Sequence, residues 1–157
     1  MRVLAVIVGT LVGAGVVLLG LLMAGMRWQI EPLVNTVRRM NRSVTNPRVM
    51  RTAGTAGTQT SVIEHVGRRS GRTYQTPVDV VETTTRLLIA LPYGARTDWL
   101  RNVLASDSAA VITGGERIEV RSPVVVATAD VADLIPVRTM RTLRLFGVRQ
   151  CLSLEKS

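Results

Sequence analysis

The sequence predicts a mainly β (α+β) protein, a small and mainly antiparallel barrel preceded by a single N-terminal transmembrane helix. Three observations predict it. An uncharged apolar run, VLAVIVGTLVGAGVVLLGLLMAGM, extends from Val3 to Met26. From residue 60 onward, stretches rich in β-branched residues recur between Gly, Pro and Thr turns, as successive strands do. Helix chemistry interrupts them at 97–105 and again near the end of the chain.

As a helix the apolar run reaches roughly 36 Å at about 1.5 Å per residue. The hydrocarbon core is about 30 Å thick, so the run spans it with some tilt. The rival reading is a cleaved signal peptide, with an apolar core of about 7–15 residues and a small-x-small cleavage site. Only Arg2 precedes the run, and Met23-Ala24-Gly25-Met26 is a poor cleavage site. The segment is therefore expected to be retained as an anchor. Arg27, Arg38, Arg39, Arg42, Arg48 and Arg51 follow it, opposed only by Glu31. Cationic flanks stay on the cytoplasmic side. The expected location is the cell membrane, single-pass, with the soluble domain in the cytoplasm. Trp28 stands where an interfacial aromatic would stand.

Three parts are expected: a transmembrane anchor at 1–26, a basic juxtamembrane helix and linker at 27–59, and one folded domain at 60–157. About 100 residues suffice for a single core and not for two. A lone cysteine, Cys151, excludes an internal disulfide, and its apolar surroundings read as packing. The net charge of +9 gathers at residues 27–60 and 136–157, whereas 92–135 is slightly acidic. Such basic ends suit anionic lipid headgroups, at about 1 kcal/mol per basic residue near the surface. Aromatic residues are only 3% of the chain, too few to stack on bases. The lipid bilayer is thus an expected partner and nucleic acid is not.

Within the second part, Pro32 opens a helix at 31–44 with Leu33, Val34, Val37 and Met40 at helical spacing. Asn46-Pro47 is expected to end it, and 52–58 is small and featureless like a linker. Strands are expected at 61–66, 73–82 and 86–91, the last apolar enough to be buried on both faces. Thr97 is placed to cap a helix with Asp98 in its first turn. Strands at 109–113 and 116–127 meet at Gly114-Gly115, a strong hairpin signal. Pro123 implies an edge or a bulge. A closing helix at 129–146 is interrupted or restarted by Pro136.

Two segments carry candidate chemistry. In His65-Val66-Gly67-Arg68-Arg69-Ser70-Gly71-Arg72, glycines and arginines crowd a turn between strands. Such a turn can direct N–H groups and guanidinium donors at an anion such as phosphate, or can be an ordinary solvated basic turn. In Leu91-Pro92-Tyr93-Gly94-Ala95-Arg96-Thr97-Asp98-Trp99-Leu100-Arg101-Asn102, a loop feeds a helix N-terminus. Trp99 and Asn102 share a helix face and could hold a planar heterocycle, or could serve as core and cap. The acids Glu64, Asp79, Glu82 and Asp98 lack metal-ligand spacing, so no metal is expected. His65, a lone histidine on a strand, reads as structural.

Taken in order, HVGRRSGR, the following Tyr and Thr-Pro-Val, then PYG and DWLRNVLA, then the Gly-Gly hairpin, resemble the deazaflavin (F-420)-dependent nitroreductase and F-420H2-dependent quinone reductase family of actinobacteria. The resemblance covers about residues 60–150. It implies a split β-barrel of the FMN-binding-like kind, with coenzyme F-420 (8-hydroxy-5-deazaflavin) as cofactor and FMN as the alternative. It also implies hydride transfer to a lipid-soluble, quinone-like or nitro acceptor. By position, Arg68, Arg69, Ser70, Gly71 and Arg72 fall on the turn that holds the coenzyme's phosphate and acidic tail. Tyr74 and Pro77 fall on the strand behind it. Pro92, Tyr93 and Gly94 match the loop along the deazaflavin ring, and Trp99 and Asn102 match the helix contacts. Tyr74 and Tyr93 are the candidate proton donors, with no catalytic residue otherwise assigned. No tyrosine follows Tyr93, and the C-terminal helix offers Met140, Leu143, Leu145 and Phe146 instead. That departure favours an apolar acceptor over a nitroimidazole. It also leaves a second reading, a membrane-tethered protein that binds F-420, flavin or lipid without turnover.

Overall fold

The structure, a computed structural model, describes residues 30–40 and 45–157, together with Gly15, Val17, Gly20, Leu21, Met23, Ala24, Gly25, Arg27 and Trp28. Most of the expected transmembrane helix lies outside the described residues. Its described members are helical as far as Arg27. Among the described residues no helix is long and apolar enough to cross a membrane.

Six antiparallel strands form the body: β1 (Thr60–Val66), β2 (Thr73–Glu82), β3 (Arg86–Ala90), β4 (Ser108–Thr113), β5 (Glu116–Ala127) and β6 (Gln150–Lys156). They close in the order β1-β2-β3-β6-β5-β4, with β4 returning to β1 and leaving no open edge. The helices are α1 (Glu31–Met40), α2 (Asn46–Val49), α3 (Asp98–Ser106) and α4 (Val137–Leu145), with a short 3-10 turn at Ala132–Leu134.

The expected turn chemistry holds. Gly114 and Gly115 take φ of 59° and 90°, the two positive values that a tight hairpin needs. Pro123 sits at a register shift between Arg121 and Val124, next to Ser122 at φ 51°. There β5 bends from pairing with β4 to pairing with β6, and a residue without an N–H donor costs no ladder bond.

Two apolar clusters use opposite faces of the same strands. Inside the barrel, Ile63, Val78, Leu87, Ile89, Val111, Val120, Leu152 and Leu154 meet Leu100 and Val103 of α3, which plugs one end. Outside it, Leu88 and Cys151 join Val131, Ile135, Met140, Leu143 and Val148 beneath α4. This is why β3 is apolar on both faces, as its sequence implied. It also explains why β6 carries no strand pattern in its sequence: Cys151, Leu152, Ser153 and Leu154 are all buried, so the period of two is lost. The Cys151 thiol is free and buried, as expected.

Several expectations are corrected. Asn46-Pro47 begins the one-turn α2 instead of ending a helix, because Pro47 suits a first turn that needs no N–H donor. Residues 41–44 of the expected first helix lie outside the described residues. The segment 52–58 is not a loose linker: Gly54 donates to the Thr60 carbonyl, accepts from Gly115, and lies against Ile112. Pro136 does restart the closing helix, as expected, but only Val137–Leu145 is α-helical, and the part before it holds just the 3-10 turn at Ala132–Leu134.

Candidate functional site

β1 and β2 are joined by a turn in which Ser70 and Gly71 both donate to the Gly67 carbonyl, and Gly67 donates to the Arg72 carbonyl. Gly71, at φ 65°, ends this single helical turn in the left-handed region. Gly67 has no room for a side chain: a Cβ there would lie 2.5 Å from Ser70 Oγ and 2.6 Å from the Tyr74 ring. The turn lies against α3. Asn102 Oδ1 accepts from the Arg68 N–H at 3.2 Å and from Arg68 Nη1 at 2.8 Å. Arg68 also reaches the Asp98 carbonyl at 3.4 Å and pairs with its carboxylate at 3.3 Å.

Behind that contact lies His65, buried and 3.3 Å from Asn102 Nδ2 through Nδ1. Its Nε2 is 3.3 Å from Thr76 Oγ1, and the Tyr74 ring stacks over it at 6.0 Å between centroids. Burial pulls the imidazole below its ordinary pKa, because the charged form loses solvation. Tyr74 remains half-exposed, with its hydroxyl 3.1 Å from Ser70 Oγ.

These elements form one wall of an open cleft of about 1530 Å³. Ligand sites are commonly about 300–1,000 Å³, so this one has space for an elongated ligand and a second molecule. Arg68, Arg69, Ser70, Tyr74, Pro77, Pro92, Tyr93, Gly94, Trp99 and Asn102 all line it. The two distant motifs of the sequence therefore meet in one place. Gly71 and Arg72, expected at the same place, are not among the lining residues, whereas Arg69 is. Trp99 is shared, packed partly against the barrel core and partly open to the cleft.

The roles within the motifs separate. Arg68 and Asn102 are occupied with each other, so they fix the turn. Among the described residues, Arg69 and Arg101 line the cleft with side chains that have no ion-pair or hydrogen-bond partner. Arg101 carries no signal in the sequence, because only the packing of α3 against the turn brings it to the cleft. The lining holds six arginines (38, 39, 68, 69, 96 and 101) against Glu31, Asp79 and Asp98, so the cleft favours an anion. Thr97 holds the N-cap position of α3 but makes no capping hydrogen bond. Its Oγ1 is buried without a partner at the cleft wall, a correction to its expected capping role.

The remaining walls come from segments that the motifs did not include. α1 contributes Glu31, Val34, Asn35, Arg38 and Arg39, with Val34 buried and Glu31 paired to Arg96 at 3.7 Å. The end of α4 and the turn after it contribute Thr142, Leu143, Phe146 and Val148. Of the four apolar residues expected on this side, Leu143 and Phe146 reach the cleft. Met140 is buried beneath α4, and Leu145 is exposed outside it. No group of metal ligands occurs among the described residues. The cleft is thus cationic at the turn, polar at the start of α3 and apolar toward α4.

A family model described as F420H(2)-dependent quinone reductase matches residues 36–150, from within α1 to the first residue of β6. No curated protein matches the chain. Among solved structures, one described as an F420-H2 dependent reductase is 15% identical, with a TM-score of 0.45, covering 62% of this chain and 94% of its own. A domain-swapped dimer is 12% identical at a TM-score of 0.49, covering 78% and 98%. An FMN-binding protein from Syntrophomonas wolfei is 12% identical at 0.46, covering 80% and 93%.

Proposed function

The chain belongs to the F420H(2)-dependent quinone reductase family, matched over residues 36–150, and from that premise we propose that it reduces a lipid-soluble, quinone-like acceptor at the cytoplasmic face of the membrane. As a member of that family it is an oxidoreductase that uses coenzyme F-420. Its residues fit such a group: a cationic lining, an unpartnered hydroxyl at Thr97, and the Trp99 indole share one cleft.

Coenzyme F-420 supplies a hydride from its reduced deazaflavin ring when bound. Arg69 and Arg101 would hold its anionic groups, each as a charge-assisted donor. Tyr93, Gly94 and Trp99 would pack along the planar part. Leu143, Phe146 and Val148 exclude water from the far end of the cleft and leave an apolar seat for the acceptor. Tyr74 and Tyr93 carry the hydroxyls that could deliver a proton to a reduced quinone oxygen. Arg68 and Asn102 keep the turn in place.

The observation that carries the acceptor's identity is the apolar end of the cleft, formed by Leu143, Phe146 and Val148. The membrane location is supported by the apolar run at 3–26 and by the junction beside it. Arg27 Nη1 donates to the Arg144 carbonyl at the end of α4, 2.6 Å away. From 134 to 154 the chain carries Arg138, Arg141, Arg144 and Arg149 with no acid. Val137, Leu145 and Phe146 are exposed in the same region, a combination suited to anionic headgroups.

The test is to titrate the full chain with F-420 in vesicles, then follow oxidation of the reduced coenzyme by a menaquinone analogue and by water-soluble nitro compounds. The quinone should give the higher kcat/KM, and Phe146→Ala should lower it without changing the F-420 Kd. Preference for the soluble nitro acceptors would overturn the proposal, and binding of FMN in place of F-420 would move the assignment to a flavin enzyme.

A further inference from the structure

His65 is a buried titratable group to which coenzyme binding and hydride transfer assign no task. It is 4% exposed, and both ring nitrogens have partners. Asn102 dictates the direction of those bonds. Its Oδ1 already accepts twice from Arg68, so its amide donor must face the imidazole. Nδ1 is then an acceptor, and the proton sits on Nε2 and is donated to Thr76 Oγ1. Only the neutral ring satisfies both contacts.

We propose that neutral His65 is a positioning residue for the turn at 67–72: by accepting from Asn102 it orients the amide that pins Arg68 against α3 and leaves Arg69 facing the cleft. The inference rests on the reading of that turn as the coenzyme's anion site. A proton taken up from solvent at Nδ1 sets a donor against the amide donor. If Asn102 then rotates, its NH₂ meets two Arg68 donors; if it does not, the His65 contact opens. Either way the amide loses the contact that orients it, the hold of α3 on Arg68 is left to Asp98 or to an unsupported Asn102, and Arg69 is less firmly placed.

The surroundings do not offer the imidazolium a compensating carboxylate. β2 turns the Tyr74 ring and Thr76 toward it. The turn presents Arg68 through Asn102, and the Asp98 carboxylate of α3 lies beyond Arg68 and is already paired with it. β4 carries no charged residue. Glu64 precedes His65 on β1 but points to the other side, where Arg117 and Gln75 hold it. Burial therefore acts unopposed, keeping the ring neutral at physiological pH and confining the release to acid.

The experiment measures F-420 Kd by fluorescence from about pH 5 to about pH 8, using the full chain in detergent micelles as wild type, His65→Asn and His65→Leu. Asparagine offers an acceptor near the Nδ1 position without a titrating ring. The side-chain amide resonances of Asn102 are followed by NMR over the same range. The wild-type Kd should rise in acid about tenfold more than that of His65→Asn, as expected for one lost charge-assisted contact. The Asn102 resonances should move with the His65 midpoint. At neutral pH, His65→Asn should bind as wild type does, and His65→Leu about tenfold more weakly. Superimposable pH profiles for wild type and His65→Asn, or Asn102 resonances that ignore the His65 midpoint, overturn the proposal. If the wild type binds no F-420 at neutral pH, the reading of the site fails, and the Asn102 resonances alone decide whether the lock exists.

Discussion

Asn102 accepts two hydrogen bonds at its Oδ1, both from Arg68, 34 residues earlier in the chain. One helix side chain thereby fixes the start of a loop in both position and direction. Asn102→Ala would strand His65 Nδ1 at a buried position and the Arg68 N–H at a part-buried one. Each lost partner costs about 1–3 kcal/mol. The urea midpoint should fall accordingly, and F-420 affinity should fall with it. If binding were lost at unchanged stability, the amide would be touching the ligand itself, and its role as a pin would have to be abandoned.

Arg68 and Arg69 are adjacent and chemically identical, yet they should respond differently to replacement. Arg69 lines the cleft without a protein partner among the described residues, whereas Arg68 is engaged with Asn102 and Asp98. Arg69→Ala should weaken F-420 binding about tenfold and flatten its salt dependence while leaving the thermal midpoint within a degree or so. Arg68→Ala should lower both affinity and midpoint. Calorimetric titration at two salt concentrations, paired with thermal melts, separates the two patterns. Equal loss of stability in both variants would contradict this division.

Stability should form a plateau in pH with a shoulder on each side. Burial lowers the pKa of His65 from its ordinary 6.5, so its contribution is complete above that value and is lost as pH falls through the folded-state pKa. Glu64 is held below 4.5, first by its hydrogen bond from Arg117 and then by Gln75, which adds a further loss at lower pH. The buried Cys151 thiol is raised above 9.0, so its contribution is complete below that value and is lost as pH rises through the folded-state pKa. Thermal midpoints measured across the range should show these steps. His65→Asn should remove the first acid shoulder and Cys151→Ser the alkaline one; shoulders unchanged in both variants would show that other groups set the limits.

Much of this fold was legible because local chemistry and tertiary structure agree. The Gly114-Gly115 hairpin, the bulge at Pro123 and the doubly buried β3 each follow from a few neighbouring residues. β6 was not legible, because Cys151 to Leu154 serve two cores at once and show no alternation. The site was half legible. The motifs named residues that do meet in the cleft, since a loop and a helix N-terminus are local features. Spacing alone could not show that Arg68 is tied to Asn102 and Asp98 while Arg69 is left to the cleft, or that Arg72 is not part of the lining. It also could not show that α1 and Phe146 complete the walls, because those contacts depend on how distant segments pack.

Gly147 ties the N-terminal segment to the cleft. It adopts φ 66°, and a Cβ there would lie 2.7 Å from the Arg27 carbonyl oxygen and 2.9 Å from Arg27 Cα. Both are backbone atoms, so no rotamer change relieves the clash. The same junction holds the Arg27 guanidinium on the Arg144 carbonyl, at the negative end of α4. Gly147→Ala combines a left-handed backbone penalty of about 1–2 kcal/mol with separation of this junction. Gly57→Ala is the control, since it carries the same kind of strain at φ 86° with open space around it. In the full chain, Gly147→Ala should expose the bond after Arg27 to trypsin and lower kcat/KM for a lipid-soluble acceptor. It should leave F-420 Kd unchanged, because the turn at 67–72 and α3 are untouched. Trypsin resistance and quinone turnover equal to those of Gly57→Ala would mean that the segment before α1 does not position the apolar end of the cleft.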